Sequence, residues 1–426
     1  MTSLLDSLMP ATSGPEGLSV EQARRLMLDH LAPVTGVERL FVRQALDRVL
    51  AADVISPLDV PAHDNSAMDG WAVRHADLAA DGETRLKIVG TAFAGRAFEG
   101  KLGAGEAVRI MTGAVLPPGA DVVVVQEVAR SEGDAVIIPP GQRREQNVRR
   151  AGEDLRTGSP AITAGKRLRP AELGLIASLG LAEVSVRRRV RVALFSTGDE
   201  LRSLGEPLAA GMIYDSNRYT LWGMLTRLGC EVLDMGVIRD EPAALEAAMR
   251  TAAASCDAII TSGGVSVGEA DFIKQLMQQL GEVAFWKIAM KPGRPMAFGR
   301  LQPEGKAGPA AWLFGLPGNP VAVMVTFYQF VRPALLKLAG VDPLPPFPAL
   351  PARLAEPLRK GRERTEFYRG VLFEQEGQWW VRPTGAQGSG ILRSMSAADC
   401  FIVLEPGREK VGVGETVNVQ LMNGLV

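Results

Sequence analysis

Three glycine-rich turns carry residues suited to handling an anion: Ser262-Gly263-Gly264-Val265-Ser266, Lys291-Pro292-Gly293-Arg294-Pro295 and Gly315-Leu316-Pro317-Gly318-Asn319-Pro320. Positions without a side chain let an anion reach backbone N–H groups. For the first turn, a tight strand-to-helix connection explains the glycines equally well. In the third, Asn319 stands as N-cap and Pro320 as N1 of a long helix. That arrangement exposes a helix N-terminus at a strand end, worth about 0.3–1 kcal/mol to an anion; structural and binding roles balance there. Lys287, Lys291 and Arg294 lie on or just after a neighbouring strand. Solvated surface charge is the usual fate of such cations, but their clustering beside two glycine turns favours phosphate or oxyanion recognition. Acids reach the same rim: Asp199 and Glu200 after one strand, Asp240 after another, and Asp271 at a helix start, where it also suits a cap. Carboxylates beside phosphate suit Mg²⁺, which takes one or two of them and keeps several waters.

These residues need strands and helices in a fixed order, and the chain supplies them. Apolar strands at Val190–Ser196, Glu231–Ile238, Asp257–Thr261, Val283–Ile288, Met296–Phe298 and Ala311–Phe314 are interleaved with helices at Thr220–Leu228, Glu241–Ser255, Asp271–Leu280 and Val321–Leu338. The alternation predicts a mostly parallel sheet covered on both faces, with ligand beyond the carboxyl ends of its strands. Upstream, Ser19-Val20-Glu21-Gln22 reads as a capping box, and three- and four-residue spacing predicts a second helix over Val37–Leu50. Short β-type runs at Trp71–Val73, Leu86–Val89, Ala107–Ile110, Val122–Gln126 and Ala135–Ile138 predict a small β module. A short helix at Pro170–Leu179 packs back on the first two, so the module is an insertion. Five prolines in Asp342–Pro351 read as a stiff linker, and the β-rich remainder as a small barrel or sandwich. The expected units are a discontinuous helical domain (17–60 with 150–187), the inserted module (61–149), the α/β domain (188–341) and the terminal β domain (342–426).

Composition excludes several classes. Lys+Arg 47 against Asp+Glu 48 leaves no electrostatic footprint for nucleic acid or an anionic membrane. Hydrophobic residues at 46% and charged ones at 22% allow ordinary cores. Three spread cysteines make no disulfide scaffold and point to a reducing compartment. Met1–Pro10 lacks a basic start and a sustained apolar core, so no secretory signal is expected. The apolar stretch Ala310–Val331 is broken by Gly315, Pro317, Gly318, Asn319 and Pro320, which suits a buried strand, turn and helix better than a membrane span. Gly264-Val265-Ser266-Val267-Gly268 matches a nucleophile elbow, yet all three histidines precede it, contrary to the order that fold needs. No Gly-Lys pair is followed by the Ser or Thr of a P-loop. Met68 spoils the calcium-loop spacing after Asp64, and zinc lacks soft ligands.

Eight motifs in order resemble the molybdopterin molybdenumtransferases, the family of MoeA and the gephyrin E domain. They are Asp64-Asn65-Ser66-Ala67-Met68-Asp69-Gly70, Met111-Thr112-Gly113-Ala114, Gly152-Glu153-Asp154, Ser196-Thr197-Gly198-Asp199-Glu200-Leu201, Tyr214-Asp215-Ser216-Asn217 and the three turns above. The resemblance implies a multidomain α/β plus β fold: a three-layer α/β molybdopterin-binding domain, a helical domain with an inserted β module, and a C-terminal β-barrel. It implies an elongated cytoplasmic homodimer whose site lies between the α/β domain of one subunit and the module of the other. The implied reaction joins molybdate to the dithiolene of adenylylated molybdopterin and releases AMP, with the adenylyltransferase and acceptor molybdoenzymes as partners.

By the same resemblance, Ser262, Gly263, Gly264, Ser266, Gly315, Pro317, Gly318, Asn319 and Pro320 hold the pterin phosphate and nucleotide. Glu200, Asp240 and Asp271 organise Mg²⁺ and the attacking water. Lys287 neutralises phosphate charge, Lys291 and Arg294 attract molybdate with help from Arg369 and Ser389, and Asp64 and Thr112 enter from the partner. Ala322 stands where the family commonly has Ser. Two other readings use related folds. A molybdopterin adenylyltransferase would need only the α/β domain, and a dimeric scaffold would have lost the acids that are present here.

Overall fold

In this computed structural model the described residues are 4–8, 17–263, 271–303 and 309–422; the side chains of 5, 6 and 271–274 lie outside the description. Gly264 and Ser266 are therefore outside it, as is the Asp271 side chain.

The α/β unit is built on a six-stranded sheet in the order Glu231–Ile238, Arg191–Thr197, Ala258–Ser262, Ala311–Leu316, Pro295–Leu301, Gly281–Lys287. The first four strands are parallel, while Pro295–Leu301 runs antiparallel to both its neighbours. Every residue of Ala258–Ser262 is buried, as a strand covered by helices on both faces requires. The chain leaves Arg191–Thr197 for one edge and returns on its other side at Ala258. The order reverses there, and a crevice opens beyond Thr197 and Ser262. The antiparallel return brings Lys287 and the 290–295 turn to that same edge.

A helix over Pro320–Leu338 crosses behind the sheet in three pieces, with a π-helical middle at Phe327–Val331. It is long and apolar enough to span a membrane, but 89% of its most apolar window is buried inside the fold.

The predicted helix over Val37–Leu50 is a strand, Val37–Phe41, followed by a 3₁₀ turn, Val42–Ala45. The strand pairs antiparallel with Glu183–Arg187. A partner about 145 residues away in sequence overrides the local helical spacing. The capping box at Ser19 and Gln22 is present, and Val20–His30 is the helix it starts.

In the inserted module the five short runs are all strands. They belong to a six-stranded sheet with a hydrophobic cluster on each face. At its base Asn65–Ser66 pairs with Val148–Arg149, so the two connections leave side by side.

The terminal unit is a closed barrel. Thr365–Gln375 pairs with Gln378–Pro383 and Cys400–Leu404, and Ala349–Leu354 and Thr416–Leu421 complete the ring. The segment read as a stiff linker through Pro351 thus supplies the start of a barrel strand. Met290–Lys291 of the α/β unit pairs parallel with Thr365–Glu366 and stitches the barrel to the carboxyl edge of the sheet.

Candidate active site

Two cavities adjoin at the carboxyl edge of the sheet. The smaller, about 80 Å³, is lined by Thr197, Glu200, Asp215, Asn217, Ser262, Gly263, Gly318 and Pro320 among others. The larger, about 680 Å³, lies between the α/β unit and the barrel, lined by the 290–295 turn, Pro317–Asn319, Ala322, Arg364, Tyr368 and Gln387–Ser389. Gly318 belongs to both walls, so a ligand can pass over a residue with no side chain from one cavity to the other.

The small cavity is held by hydrogen bonds between side chains and from side chains to backbone. Asp215 caps the helix Ser216–Leu228, accepting from the Arg218 N–H. Buried Arg218 also donates to Asp215 Oδ2 at 3.1 Å and to Asp234 Oδ2 at 2.7 Å, tying the helix to the edge strand. The second helical residue, Asn217, is thereby fixed. Its Nδ2 donates to Ser262 Oγ at 2.8 Å and to the Gly318 carbonyl at 2.6 Å, joining the two glycine turns. Gly263 sits at φ +95°, and a Cβ there would stand 2.5 Å from the Thr197 carbonyl oxygen. Only glycine permits this approach.

The large cavity is cationic: Lys291, Arg294 and Arg364 line it, and no carboxylate does among the described residues. Lys291 Nζ lies 3.5 Å from buried Glu366 and keeps most of its surface in the cleft. Burial pushes the Tyr368 phenol up from its usual range, and its O–H donates to the Arg359 carbonyl at 2.9 Å.

The predicted site residues are placed as follows. Ser262, Gly263, Pro317, Gly318, Asn319, Pro320, Lys291, Arg294 and Ser389 line one cavity or both, and Gly315 ends inside its buried strand. Glu200 lines the small cavity. Asp240 is half-buried past the neighbouring strand, outside that lining. Among the described residues no three His, Cys, Asp or Glu side chains converge. Lys287 is exposed at its strand end, and its carbonyl accepts from the Leu18 N–H.

Arg369 is buried under the cleft rather than facing it. Its guanidinium donates to Ser394 Oγ at 2.9 Å and to the Gly388 carbonyl at 3.0 Å, which fixes the Gln387–Ser389 wall. The helix N-terminus is less open than expected. Asn319 makes no capping bond, Pro320 has no N–H, and the Val321 N–H donates to the Ser389 carbonyl. Ala322 lines the cleft and presents a methyl there, as its departure from the family pattern implies.

Asp64 and Thr112 bond only locally. Asp64 accepts from the Ala151 N–H at 2.8 Å and pairs with Arg150; the Ala151 bond first, then Arg150, hold its carboxyl below the usual range. Thr112 donates through N–H and Oγ1 to Asp69, at 2.7 and 2.8 Å.

Arg364 and Asn217 are cavity residues to which the sequence alone assigns no role. Arg364 lies in the basic run Lys360-Gly361-Arg362-Glu363-Arg364, which is a signal for it. Asn217 was part of a recognised motif, but its double bond to the glycine turns exists only in the fold.

The comparisons agree over nearly the whole chain. Residues 18–180 match the MoeA N-terminal region (domains I and II), 193–337 a probable molybdopterin binding domain, and 351–422 the MoeA C-terminal region (domain IV). A molybdopterin molybdenumtransferase of Haemophilus influenzae is 44% identical over 411 residues, covering 96% of this chain and all of that one. One from Bacillus subtilis is 34% identical over 95% of this chain and 94% of its own length. A solved molybdopterin biosynthesis MoeA protein from Pyrococcus horikoshii superposes with TM-score 0.80 at 27% identity, covering 95% of this chain and 99% of that one. With full-length relatives above 30% identity and the same multidomain α/β-plus-barrel architecture, the chain belongs to the molybdopterin molybdenumtransferase family.

Proposed function

We propose that this chain inserts molybdate into adenylylated molybdopterin, cleaving the phosphoanhydride so that AMP leaves. The observation that carries the reading is the pair of adjoining cavities: a glycine-walled pocket for phosphate, and a cleft lined, among the described residues, by three cations and no carboxylate, meeting at Gly318. Molybdate and a diphosphate are both multiply anionic, and neither enters such a site without cations.

Ser262, Gly263, Gly264, Ser266 and the Gly315–Pro320 turn hold the phosphates. Lys287 offsets charge at the rim. Lys291 and Arg294, joined by Arg364, draw molybdate into the cleft. Ser389 contributes from the wall that Arg369 positions. Glu200, Asp240 and Asp271 serve Mg²⁺, and the oxygen-rich lining of the small cavity has the donor chemistry that cation prefers. Mg²⁺, when bound, offsets phosphate charge and acidifies a water.

Asp64 and Thr112 complete the site from the partner in a homodimer; within one chain Asp64 is held by Ala151 and Arg150 beside the module, and Thr112 by Asp69. The balanced charge and the burial of the Pro320–Leu338 helix are in keeping with a cytoplasmic setting.

The test is AMP release by the purified chain from adenylylated molybdopterin. Release that depends on molybdate supports the reading. Release without molybdate, or consumption of ATP in its place, refutes it. Asp271→Ala is expected to leave the protein folded and abolish the molybdate-dependent release; unchanged turnover would remove Asp271 from the metal set.

A further inference from the structure

We infer that Glu366 is a specificity-determining residue: as the counter-charge of Lys291, it limits how tightly the large cleft holds an oxyanion. This rests on the reading that the cleft takes a tetrahedral dianion. It gives a role to a residue that stands behind the cleft lining.

The backbone makes the pair. Lys291 and Glu366 are register partners where Met290–Lys291 runs beside Thr365–Glu366. Lys291 Nζ lies 3.5 Å from Glu366 Oε2. Glu366 is 5% exposed, whereas the Lys291 side chain is 62% exposed. The acid is thus fixed inside the protein, and the cation stands in the cleft.

The carboxylate's other neighbours hold it weakly. The Gly361 N–H reaches Oε1 at 3.4 Å. Lys360 feels the charge of Glu366, but its amine donates to the carbonyls of Gly361 and Arg364 at 2.8 and 2.7 Å. A buried carboxylate is costly unless a cation balances it, and Lys291 supplies that balance. Tyr368, which also lines the cleft, has its phenol raised by burial first and then by Glu366. Glu366 therefore stands directly behind two lining side chains.

Molybdate and sulfate are both tetrahedral dianions, so attraction to Lys291, Arg294 and Arg364 does not separate them. Reaction with the dithiolene sulfurs does, because sulfate does not undergo it. A cleft that gripped every dianion by charge would fill with the commonest one. Glu366 weakens that grip: an oxyanion on Lys291 shares the ammonium with a fixed carboxylate, and selection falls to the dithiolene.

Neutralising Glu366 has two opposed effects. Lys291 loses a restraint on one flexible side chain. The oxyanion loses repulsion from a full negative charge, which counts twice against a dianion. The second effect is the larger, so binding tightens.

The full-length protein is titrated calorimetrically with sodium molybdate and with sodium sulfate, each alone and at constant ionic strength. Glu366→Gln keeps the shape and leaves Lys291 solvated. Its affinity for both anions is expected to exceed that of wild type by roughly threefold to thirtyfold. Adding Lys291→Met to Glu366→Gln should abolish the gain. Glu363→Gln makes the same charge change at an exposed position three residues away and should leave affinity unaltered. Glu366→Met removes the charge at similar volume and repeats the test should the glutamine variant not fold.

Unchanged or weaker binding by the neutral variants overturns the role. So does an equal gain in Glu363→Gln, or a gain that survives the loss of Lys291. Anion binding needs no pterin, so the role of Glu366 can stand where AMP release fails, and AMP release can stand where the role fails.

Discussion

Gly263 and Gly318 line the same small cavity, and replacing each by alanine should have different structural effects. At Gly263 the backbone has φ +95°, and the new Cβ would meet the Thr197 carbonyl oxygen at 2.5 Å. Holding alanine in that region costs about 1–3 kcal/mol. The contact is with strand backbone, which cannot swing aside as a side chain would, and overpacking of this kind adds about 1–3 kcal/mol. Together the α/β unit should lose about 2–6 kcal/mol, a fall of roughly 5–20 °C in the unfolding midpoint of a unit this size. At Gly318 the nearest atom to a new Cβ is the Gly263 Cα at 3.9 Å, an ordinary contact, and the backbone is outside the left-handed region. Gly318→Ala should therefore unfold at the wild-type temperature or slightly above it. Its methyl would instead project where the two cavities join and weaken ligand binding. Calorimetry of both variants with AMP release measured in parallel separates the two. A Gly263→Ala protein with the wild-type midpoint would refute the close-approach argument, and a Gly318→Ala protein with full activity would refute passage of the ligand over that residue.

Lys291→Ala should raise the molybdate requirement more than that for the pterin nucleotide; equal effects in steady-state kinetics would argue against an oxyanion role. At limiting molybdate, mixed dimers of Asp64→Ala and Lys291→Ala chains should recover activity that neither variant shows alone, because the proposed composite arrangement leaves one of the two sites intact; no recovery on mixing would place both residues in one subunit's site. Glu172 is lowered to about 2, chiefly by the Arg169 side chain. A depressed carboxyl contributes stability that is present above its unfolded pKa of about 4.3 and is lost as pH falls through the folded value. Glu172→Gln should thus lower the unfolding midpoint at pH 7 and make no difference below about pH 2, as pH-dependent thermal unfolding would record.

The parts legible in the sequence are those whose signal is local. Apolar strands ending in glycine turns announced the α/β unit, and the ordering of Ser262, Lys291, Arg294 and Gly318 along one rim followed from strand-end positions alone. Pairing at a distance was not legible. Val37–Phe41 has helical spacing, yet Glu183–Arg187 makes it a strand. Ala349–Leu354 is rich in proline around its start, yet Thr416–Leu421 recruits it into the barrel. Arg364 reaches the cleft only because Thr365–Glu366 lies beside Met290–Lys291. Arg369, by contrast, is a site residue by the family resemblance, and the fold puts it behind the wall. Its position in the sequence gives no sign of which side of the strand it occupies.

The two-residue pairing of Met290–Lys291 with Thr365–Glu366 also bears on how such a chain can change over time. Side chains alternate along a strand, so slipping the pairing by one residue would turn Lys291 from the cleft and separate it from Glu366. Point substitutions in the barrel can adjust the cleft gradually. A single inserted or deleted codon near 290 or 365 would misalign the opposing walls at once. Length variation among descendants of this chain should therefore accumulate in its outer loops and spare those two short stretches.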